Sequence, residues 1–472
     1  MNNIDIIIVA IYLIALFSWA IYMGLRETAD DFLIFSRKAP LLLVMFSVIS
    51  TWVGIGTTVA TAASGYDTGI SLGLTAASGG LLGILVAAWF APRLKWFGDK
   101  YKAHTLGDFF SIRYSKYGRL AASGLVLLVY ILLTAAQFVG LGTLLEVWTG
   151  GEFGIIVGFA AISTVIYTAF AGIKSDFYTD VVHFIVMFIV LFIILLPLTL
   201  VEIGGFKGIL TLPDSYFDPF AYGGISFFIA GLIFGGGSVF VTMELWQRIY
   251  ASSSGKVARL ALGMSIIVII SFYIISTIFG MATHIVDPGL IDRDQAIFIL
   301  MKKFLPTGFL GLGLAGFMAV FISTVNSTIM VASATLAKDF YKGIINPQVS
   351  DRGLLTAGRV STLMCGFAGM VFAILIPDLV ALSVNALFML LILLPSVVGG
   401  FFWHRATALG ALSSIITGGI TMSIFFYIDP ETAFVPGFFV SLATFVIISK
   451  LSDHSLEENL NVVKGWLEQK VN

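Results

Sequence analysis

The stretch Thr51–Thr58, with the sequence TWVGIGTT, lies in the middle of an apolar run that covers residues 40–66. A second glycine cluster, Phe234–Ser238 (FGGGS), lies in the middle of another apolar run, residues 222–250. Glycines and small polar residues at this depth predict that both helices are interrupted, although glycines also let helices pack closely. Because the two runs are five apart in chain order, they predict two inverted repeats of five helices each.

Apolar runs of this kind recur along the whole chain of 472 residues, of which 58% are hydrophobic and only 11% charged. A helix of about 20 apolar residues crosses the ~30 Å hydrocarbon layer, and long uninterrupted runs favour helices over barrel strands. The sequence therefore predicts an all-α integral membrane protein with about 13 transmembrane helices. The predicted spans are residues 4–25, 40–66, 71–97, 119–149, 153–173, 178–203, 222–250, 256–285, 306–337, 354–376, 378–402, 406–428 and 433–450.

The positive charges of the loops predict how the chain is oriented. If the N-terminus lies outside, the cytoplasmic loops hold all but four of the 26 Lys and Arg residues. The exceptions are Lys207, Arg293, Lys302 and Lys303. We therefore expect a multi-pass protein of the cell membrane with its N-terminus outside and its C-terminus cytoplasmic. Short loops favour a prokaryotic inner membrane, and the polar tail Ser455–Asn472 predicts a cytoplasmic surface helix.

Several classes of function have no support in the sequence. The formal net charge of −1 gives no basic footprint for nucleic acid. The single cysteine, Cys365, forms neither a disulfide framework nor a metal cluster, and five histidines are scattered along the chain. The chain contains no phosphate-binding loop and no His-Glu-x-x-His motif. These features indicate that the protein is not an enzyme, and that its partners are the lipid bilayer and a small solute.

The ninth apolar run carries an unusual group of polar side chains. Ser323, Asn326 and Ser327 share one helix face, with Thr324 beside them. A hard cation such as sodium binds oxygen ligands, and hydroxyls with loosened carbonyls supply them without burying a charge. The alternative is that these hydroxyls only bond to carbonyls of their own helix. We interpret the group as a cation site.

Ionisable residues inside apolar runs are costly and few, so each is a functional candidate. Asp180 begins the sixth run without an obvious partner nearby in sequence, with Lys174 and His183 the nearest candidates. We interpret Asp180 as a ligand of a second cation or as a coupling residue. Glu244 and Arg248 lie four residues apart and are expected to pair.

Four stretches of the chain resemble the sodium/solute symporter family, which includes transporters of proline, glucose, pantothenate, sialic acid and choline. The run Ser47–Gly69 resembles the family's first core helix, and Gly172–Asp180 resembles a segment that ends in Tyr/Trp-Thr-Asp. Trp246–Ala251 resembles a Gln-Arg segment. The most specific match is Ala315–Lys342, a Ser/Thr-rich helix that ends in Lys-Asp-Phe-Tyr-Lys.

This resemblance implies the LeuT-type fold of five plus five helices and a set of binding residues. The implied sodium ligands are the carbonyls of Ser50, Val53 and Val320 and the hydroxyls of Ser323 and Thr324. The positions implied for a second sodium ion are Asp180, Asn326 and Ser327. The implied solute pocket contains Trp52, Gly54, Thr57, Gly235, Ser238, Val239 and Met243. Trp52 would offer an aromatic face to a cationic group.

The same resemblance divides the chain into five parts. Residues 1–39 form a leading helix and loop, residues 40–203 the first repeat, and residues 222–402 the second. Residues 403–450 form two peripheral helices, and residues 451–472 form the tail.

The function expected is sodium-coupled import of an amino acid, sugar, carboxylate or quaternary amine by alternating access. Na⁺ is the expected coupling ion, and a monomer is a possible functional state. A proton-coupled carrier of the same fold and a transporter-like membrane sensor remain open alternatives. A channel would need a continuous polar stripe along several helices, which the sequence does not show.

Overall fold

The computed structural model describes residues 2–376, 385–430 and 432–452. Among these residues, 11 single helices and two bent helix pairs are long and apolar enough to cross a membrane, which gives the 13 spans expected. The predicted tail helix at 455–472 and the first residues of the predicted span 378–402 lie outside the described residues.

The spans are numbered in chain order and follow the predicted runs closely. They are α1 (Asn3–Gly24), α2 (Leu41–Trp52 with Gly56–Thr68), α3 (Ile70–Tyr101), α4 (Lys116–Thr149), α5 (Phe153–Phe170), α6 (Ile173–Glu202), α7 (Gly224–Phe240 with Met243–Ala251), α8 (Gly255–Val286), α9 (Phe309–Ile345), α10 (Asp351–Leu375), α11 (Asn385–Phe402), α12 (Ala408–Phe426) and α13 (Phe434–Leu451). The longer connections contain the short helices Ala29–Ile34, Leu106–Arg113 and Ala296–Phe304.

Several helix contacts within α2–α11 are matched between the first five helices and the second five. Helix α2 packs against α8, and the equivalent α7 packs against α3. The pairs α3 with α8, α4 with α9 and α5 with α10 also pack together, and each pair maps onto itself when the two groups are exchanged. This arrangement is the two-repeat architecture that the sequence predicts. Helices α12 and α13 pack mainly against each other, and α1 packs against α9.

The two bent spans are α2 and α7, which hold equivalent positions in the two repeats. Helix α2 bends by 58° between Trp52 and Gly56, within the predicted stretch. Helix α7 bends by 47° between Phe240 and Met243. The glycine cluster Phe234–Ser238 is therefore helical, and the prediction that α7 breaks within it is wrong by a few residues.

The cluster in α7 serves close helix packing instead. A Cβ atom on Gly235 would lie only 3.3 Å from the Cα atom of Gly79 in α3. A Cβ atom on Gly79 would in turn lie 2.6 Å from the carbonyl oxygen of Gly231. Side chains at these positions would force α3 and α7 apart, so these glycines permit the contact between the two helices.

Candidate functional site

The break in α2 releases backbone groups in the centre of the bundle. Val53 has φ −82° and ψ 67°, so the chain leaves helical geometry there, and regular bonding resumes when the Thr58 amide reaches the Gly54 carbonyl at 3.1 Å. The Ile55 amide, which would bond the Thr51 carbonyl in a continuous helix, donates instead to Gln137 Oε1 at 3.2 Å. Carbonyl oxygens at the break are thereby left for other partners.

Two hydroxyls of α9 lie against these freed carbonyls. Ser323 Oγ donates to the Ser50 carbonyl at 2.8 Å and lies 3.4 Å from the Val320 carbonyl. Thr324 Oγ1 lies 3.2 Å from both the Thr51 and the Val320 carbonyls. Both hydroxyls are buried, so three carbonyl and two hydroxyl oxygens meet in a site shielded from solvent.

This group of five neutral oxygens suits a hard monovalent cation. Sodium prefers oxygen ligands, and neutral donors bind it without the cost of burying an unpaired negative charge. A bound ion would be coordinated by the carbonyl oxygens that the two hydroxyls now contact. Each hydroxyl would only need to rotate its hydrogen away so that its oxygen also faces the ion. The predicted residues Ser50, Val320, Ser323 and Thr324 are brought together here. The contact of Thr324 with the Thr51 carbonyl was not predicted, and Val53 is buried at the break without a described bond to the two hydroxyls.

Two of the three residues predicted for a second sodium ion, Asp180 and Ser327, lie against an arginine. The Arg248 guanidinium donates to Ser327 Oγ at 2.6 Å and to Ser47 Oγ at 3.0 Å. It also lies 3.6 Å from Asp180 Oδ2 and 3.5 Å from Asp176 Oδ2. The guanidinium thus supplies a positive charge to two of the three predicted ligands.

The third predicted ligand, Asn326, is directed elsewhere. Its side-chain oxygen accepts a hydrogen bond from Thr168 at 2.6 Å, and its side-chain nitrogen donates to the Tyr167 hydroxyl at 3.1 Å. The structure therefore joins Asp180 and Ser327 at Arg248, whereas the Asn326 amide bonds Thr168 and Tyr167.

The arginine cluster places two carboxyl groups against one guanidinium in a buried site. Asp176, Asp180 and Arg248 are each at most 1% exposed. Within the described part of the chain, the Oδ1 atoms of both aspartates have no hydrogen-bond partner. Thr51 links this cluster to the cation site, because its hydroxyl contacts Ser327 at 2.8 Å while its carbonyl faces Thr324.

One glycine at the break in α2 borders open space, and a group of aromatic and hydroxyl side chains lies close to the same break. A Cβ atom on Gly56 would meet nothing within 4 Å, so the backbone borders open space there. A Cβ atom on Gly80 of α3 would lie 3.7 Å from Trp52 Nε1 and 3.8 Å from the Tyr273 hydroxyl of α8. The Thr57 hydroxyl donates to the Trp52 carbonyl at 2.8 Å. Two aromatic side chains thus present hydrogen-bonding edges to the same region.

The other predicted pocket residues have different surroundings. Gly54 lies against Thr324, because an added Cβ atom would be 2.6 Å from Thr324 Oγ1. Val239 packs on Gly83 of α3, and Ser238 donates to the carbonyl of its own helix at Gly235.

Met243 is buried near the short helix Leu106–Arg113, where its sulfur accepts from the Leu106 amide. The structure therefore places Trp52 and Thr57 together near Tyr273 and places the predicted α7 residues in helix contacts.

Helix α4 contributes two residues that were not predicted. Gln137 accepts the Ile55 amide at the break in α2, and the Tyr130 hydroxyl accepts the Met243 amide at 2.7 Å at the break in α7. Tyr130 also bonds the Glu244 carboxyl. The two residues are seven positions apart, on one face of an apolar helix, and that spacing is the signal through which they could have been found.

An unwound helix whose freed carbonyls meet buried hydroxyls, inside a bundle of two five-helix repeats, is typical of a secondary transporter. The sodium:solute symporter family matches residues 41–418, and the chain belongs to this family. Sodium is therefore its coupling ion, as the sequence predicts.

Individual proteins show the same relationship. The osmoregulated proline transporter OpuE of Bacillus subtilis (strain 168) is 26% identical over 95% of both chains. The sodium/pantothenate symporter of Escherichia coli (strain K12) is 25% identical over 92% of this chain and 94% of its own. A Na⁺-coupled sialic acid symporter, solved in a substrate-bound outward-open state, superposes with a TM-score of 0.86 at 19% identity, covering 96% of this chain and 99% of its own. This last similarity confirms the predicted fold.

Proposed function

We propose that the chain imports a small organic solute together with sodium by alternating access, and that sodium binds at the break in α2. The observation that supports this most is the meeting of Ser323 and Thr324 with the freed carbonyls of Ser50 and Thr51. The ion joins α9 to α2 at the point where α2 has lost its own hydrogen bonds. Sodium binding therefore favours the conformation in which the break and the neighbouring pocket are ordered.

The neutral ligand set suits an ion that must leave in every cycle. A carboxylate in direct contact would hold sodium more tightly and slow its release. Moving one charge through 100 mV supplies about 2.3 kcal/mol, and a tenfold sodium gradient adds about 1.4 kcal/mol. One sodium ion per cycle can therefore sustain a gradient of roughly 500-fold for a neutral solute.

We propose that the solute binds in the space beside Gly56, against Trp52, Thr57 and Tyr273. The aromatic edges and the hydroxyls offer hydrogen bonds to polar groups, and the ring faces offer apolar contact. An amino acid, sugar, carboxylate or quaternary amine fits this mixture. Relatives named for proline and pantothenate make these two compounds the first solutes to test.

We further propose that one sodium ion accompanies each solute. Arg248 already supplies a positive charge to Asp180 and Ser327, and Asn326 is directed away from them. A second sodium ion at these residues would have to displace the guanidinium or share its carboxylates. A sodium dependence of uptake with a Hill coefficient near 2 would contradict this proposal.

The remaining expectations are part of the same proposal. The chain is a transporter rather than an enzyme, and its partners are sodium, a small solute and the bilayer. It functions as a monomer in a prokaryotic inner membrane, with its N-terminus outside and its C-terminus cytoplasmic. The repeats extend over residues 40–203 and 222–402, preceded by residues 1–39 and followed by the peripheral part 403–450 and the tail 451–472.

The experiment that tests the function is uptake of labelled proline and pantothenate into proteoliposomes that contain the purified protein. An inward sodium gradient should drive uptake, and an equal potassium gradient should not. Uptake that follows an imposed pH gradient in the absence of sodium would favour a proton-coupled carrier. If no solute from a broad panel is taken up while sodium still stabilises the protein, a sensor becomes the better explanation.

A further inference from the structure

Helix α3 carries a stripe of aromatic and basic residues on the outer surface of the bundle. Trp89, Arg93, Trp96 and Lys100 follow one another at spacings of three or four, so they share one helix face. The Arg93 guanidinium lies 5.1 Å from the centre of the Trp89 ring, and Lys100 Nζ lies 4.8 Å from that of Trp96. The Trp89 side chain is 55% exposed.

An apolar groove of about 320 Å³ runs beside the first part of this stripe. Its walls come from α3, from the first segment of α7 (Gly224–Phe240) and from α11. The lining includes Val86, Trp89, Gly237, Phe240, Leu394 and Val398. Glycines on the α7 side keep the groove open, since they leave no side chain in it.

A second, more open pocket of about 560 Å³ lies further along α3, at its end. Trp96, Lys95 and Lys100 line this pocket together with Asp99 and the turn between α7 and α8. Lys95 Nζ lies 2.8 Å and Arg37 Nη1 lies 3.5 Å from Asp99, so the carboxylate is already matched by positive charge. With Lys100 added, the pocket carries a net positive charge.

The groove and the stripe together match one leaflet of a bilayer in length. From Val86 to Lys100 the helix rises about 21 Å. Half of the hydrocarbon layer accounts for about 15 Å of this, and the rest reaches the headgroup region. Tryptophans are enriched at that interface, and basic residues there attract anionic lipids.

We propose that this surface binds an anionic phospholipid, with an acyl chain in the groove between α3, α7 and α11 and its phosphate near Arg93 and Lys100. The groove alone would accept any acyl chain, and the basic end selects for a negative headgroup. Because α7 is one of the two bent helices, a lipid held against Phe240 contacts the segment just before its bend. This inference does not rest on the transported solute or on the sodium site.

The test is the melting temperature of the purified protein in detergent with added dioleoyl phosphatidylglycerol or dioleoyl phosphatidylcholine. Phosphatidylglycerol should stabilise the wild type more than phosphatidylcholine. Each basic residue near an anionic surface strengthens binding about fivefold, so the double variant R93Q/K100Q should bind about 25-fold more weakly. The matched variant K302Q/K303Q removes two exposed lysines at the other end of the bundle and should keep the preference.

A second pair of variants tests the groove itself. V86W fills the proposed groove, whereas L442W fills a neighbouring apolar groove of about 330 Å³ on the other side of α11. Only V86W should abolish the phosphatidylglycerol effect. Three results would overturn the proposal. They are equal stabilisation of the wild type by both lipids, an equal loss of the phosphatidylglycerol preference in both double variants, or the same rise in melting temperature with glycerol phosphate alone.

Discussion

Two glycines at the break in α2, only two positions apart, should respond in opposite ways to an added methyl group. In Gly54→Ala the new Cβ atom would lie 2.6 Å from Thr324 Oγ1, whereas in Gly56→Ala it would meet nothing within 4 Å. Neither glycine has a positive φ, so alanine fits the backbone at both sites. The two variants therefore differ in what the methyl group contacts.

The size of the effect at Gly54 follows from this distance. Ordinary contact begins at 3.4 Å, so Thr324 must retreat by roughly 0.8 Å. Metal-ligand distances tolerate only about 0.2 Å, so the hydroxyl would cease to be a ligand. Disturbing one group around a metal typically weakens binding about 10- to 100-fold. At sodium concentrations 100 times the wild-type Kd, a 100-fold loss would reduce the stabilisation by sodium from about 2.7 to about 0.4 kcal/mol.

The assay is the melting temperature of each variant in sodium and in potassium at equal ionic strength. Gly54→Ala should lose most of the difference between the two salts, and Gly56→Ala should keep it. Gly56→Ala should instead weaken solute binding, because its methyl group enters the proposed solute space. If Gly54→Ala keeps the full sodium effect, or if both variants lose it equally, the assignment of Thr324 to the sodium site is refuted.

Three further substitutions test other parts of the account. Arg248→Met should destabilise the protein by about 3–5 kcal/mol by leaving buried carboxylates unpaired, and adding Asp180→Asn should restore part of the lost melting temperature. Gln137→Ala should raise the sodium concentration for half-maximal uptake, since the Ile55 amide loses its acceptor, while Gln137→Glu keeps it. His104 accepts a hydrogen bond from Lys338 Nζ at 2.9 Å, and burial lowers the pKa of its imidazole from 6.5. The wild type should therefore lose stability as the pH falls through 6.5, because the unfolded chain binds the proton more readily. His104→Gln should lose less stability over the same pH range. A melting profile between pH 8 and pH 5 that is the same for both proteins would contradict the last prediction.

The sequence was sufficient for features that depend on local pattern and general chemistry. Thirteen spans follow from run length, and the break in α2 follows from its glycines and threonines. Ser323 and Thr324 stood out because an apolar helix has little reason to carry adjacent hydroxyls. In the structure both hydroxyls contact the freed carbonyls, which agrees with that reasoning. That sodium is the ion bound at these atoms stays a prediction.

Features that depend on which helices meet were beyond the sequence. The glycine pattern of α7 is typical of a helix break, but in the structure these glycines pack closely against Gly79 and Gly83 of α3. The sequence around them does not show that α3 is the neighbouring helix. Asp180 has no obvious partner nearby in sequence, where Lys174 and His183 are the nearest candidates, yet in the structure it meets Arg248 from the other repeat. Lys174 pairs with Asp31 at 3.1 Å, and His183 bonds Tyr12 at 2.6 Å.

The expected pairing of Glu244 with Arg248 is also modified by tertiary contacts. Arg248 donates to the Glu244 carbonyl, while the Glu244 carboxyl bonds Tyr130 of α4. A spacing of four residues brings the two side chains to one face of the helix. The Arg248 guanidinium nevertheless bonds side chains of α2, α6 and α9 rather than the Glu244 carboxyl group.

The central claim is that sodium binds where Ser323 and Thr324 meet the break in α2. The most direct test compares the melting temperature in sodium and potassium for the wild type, Ser323→Ala and Ser333→Ala. Ser333 is the matched control, because it is a buried serine of the same helix whose hydroxyl, among the described residues, bonds the Met330 carbonyl alone. The account predicts that sodium stabilises the wild type and Ser333→Ala but not Ser323→Ala. Equal stabilisation of all three proteins, or no difference between sodium and potassium for the wild type, would contradict it.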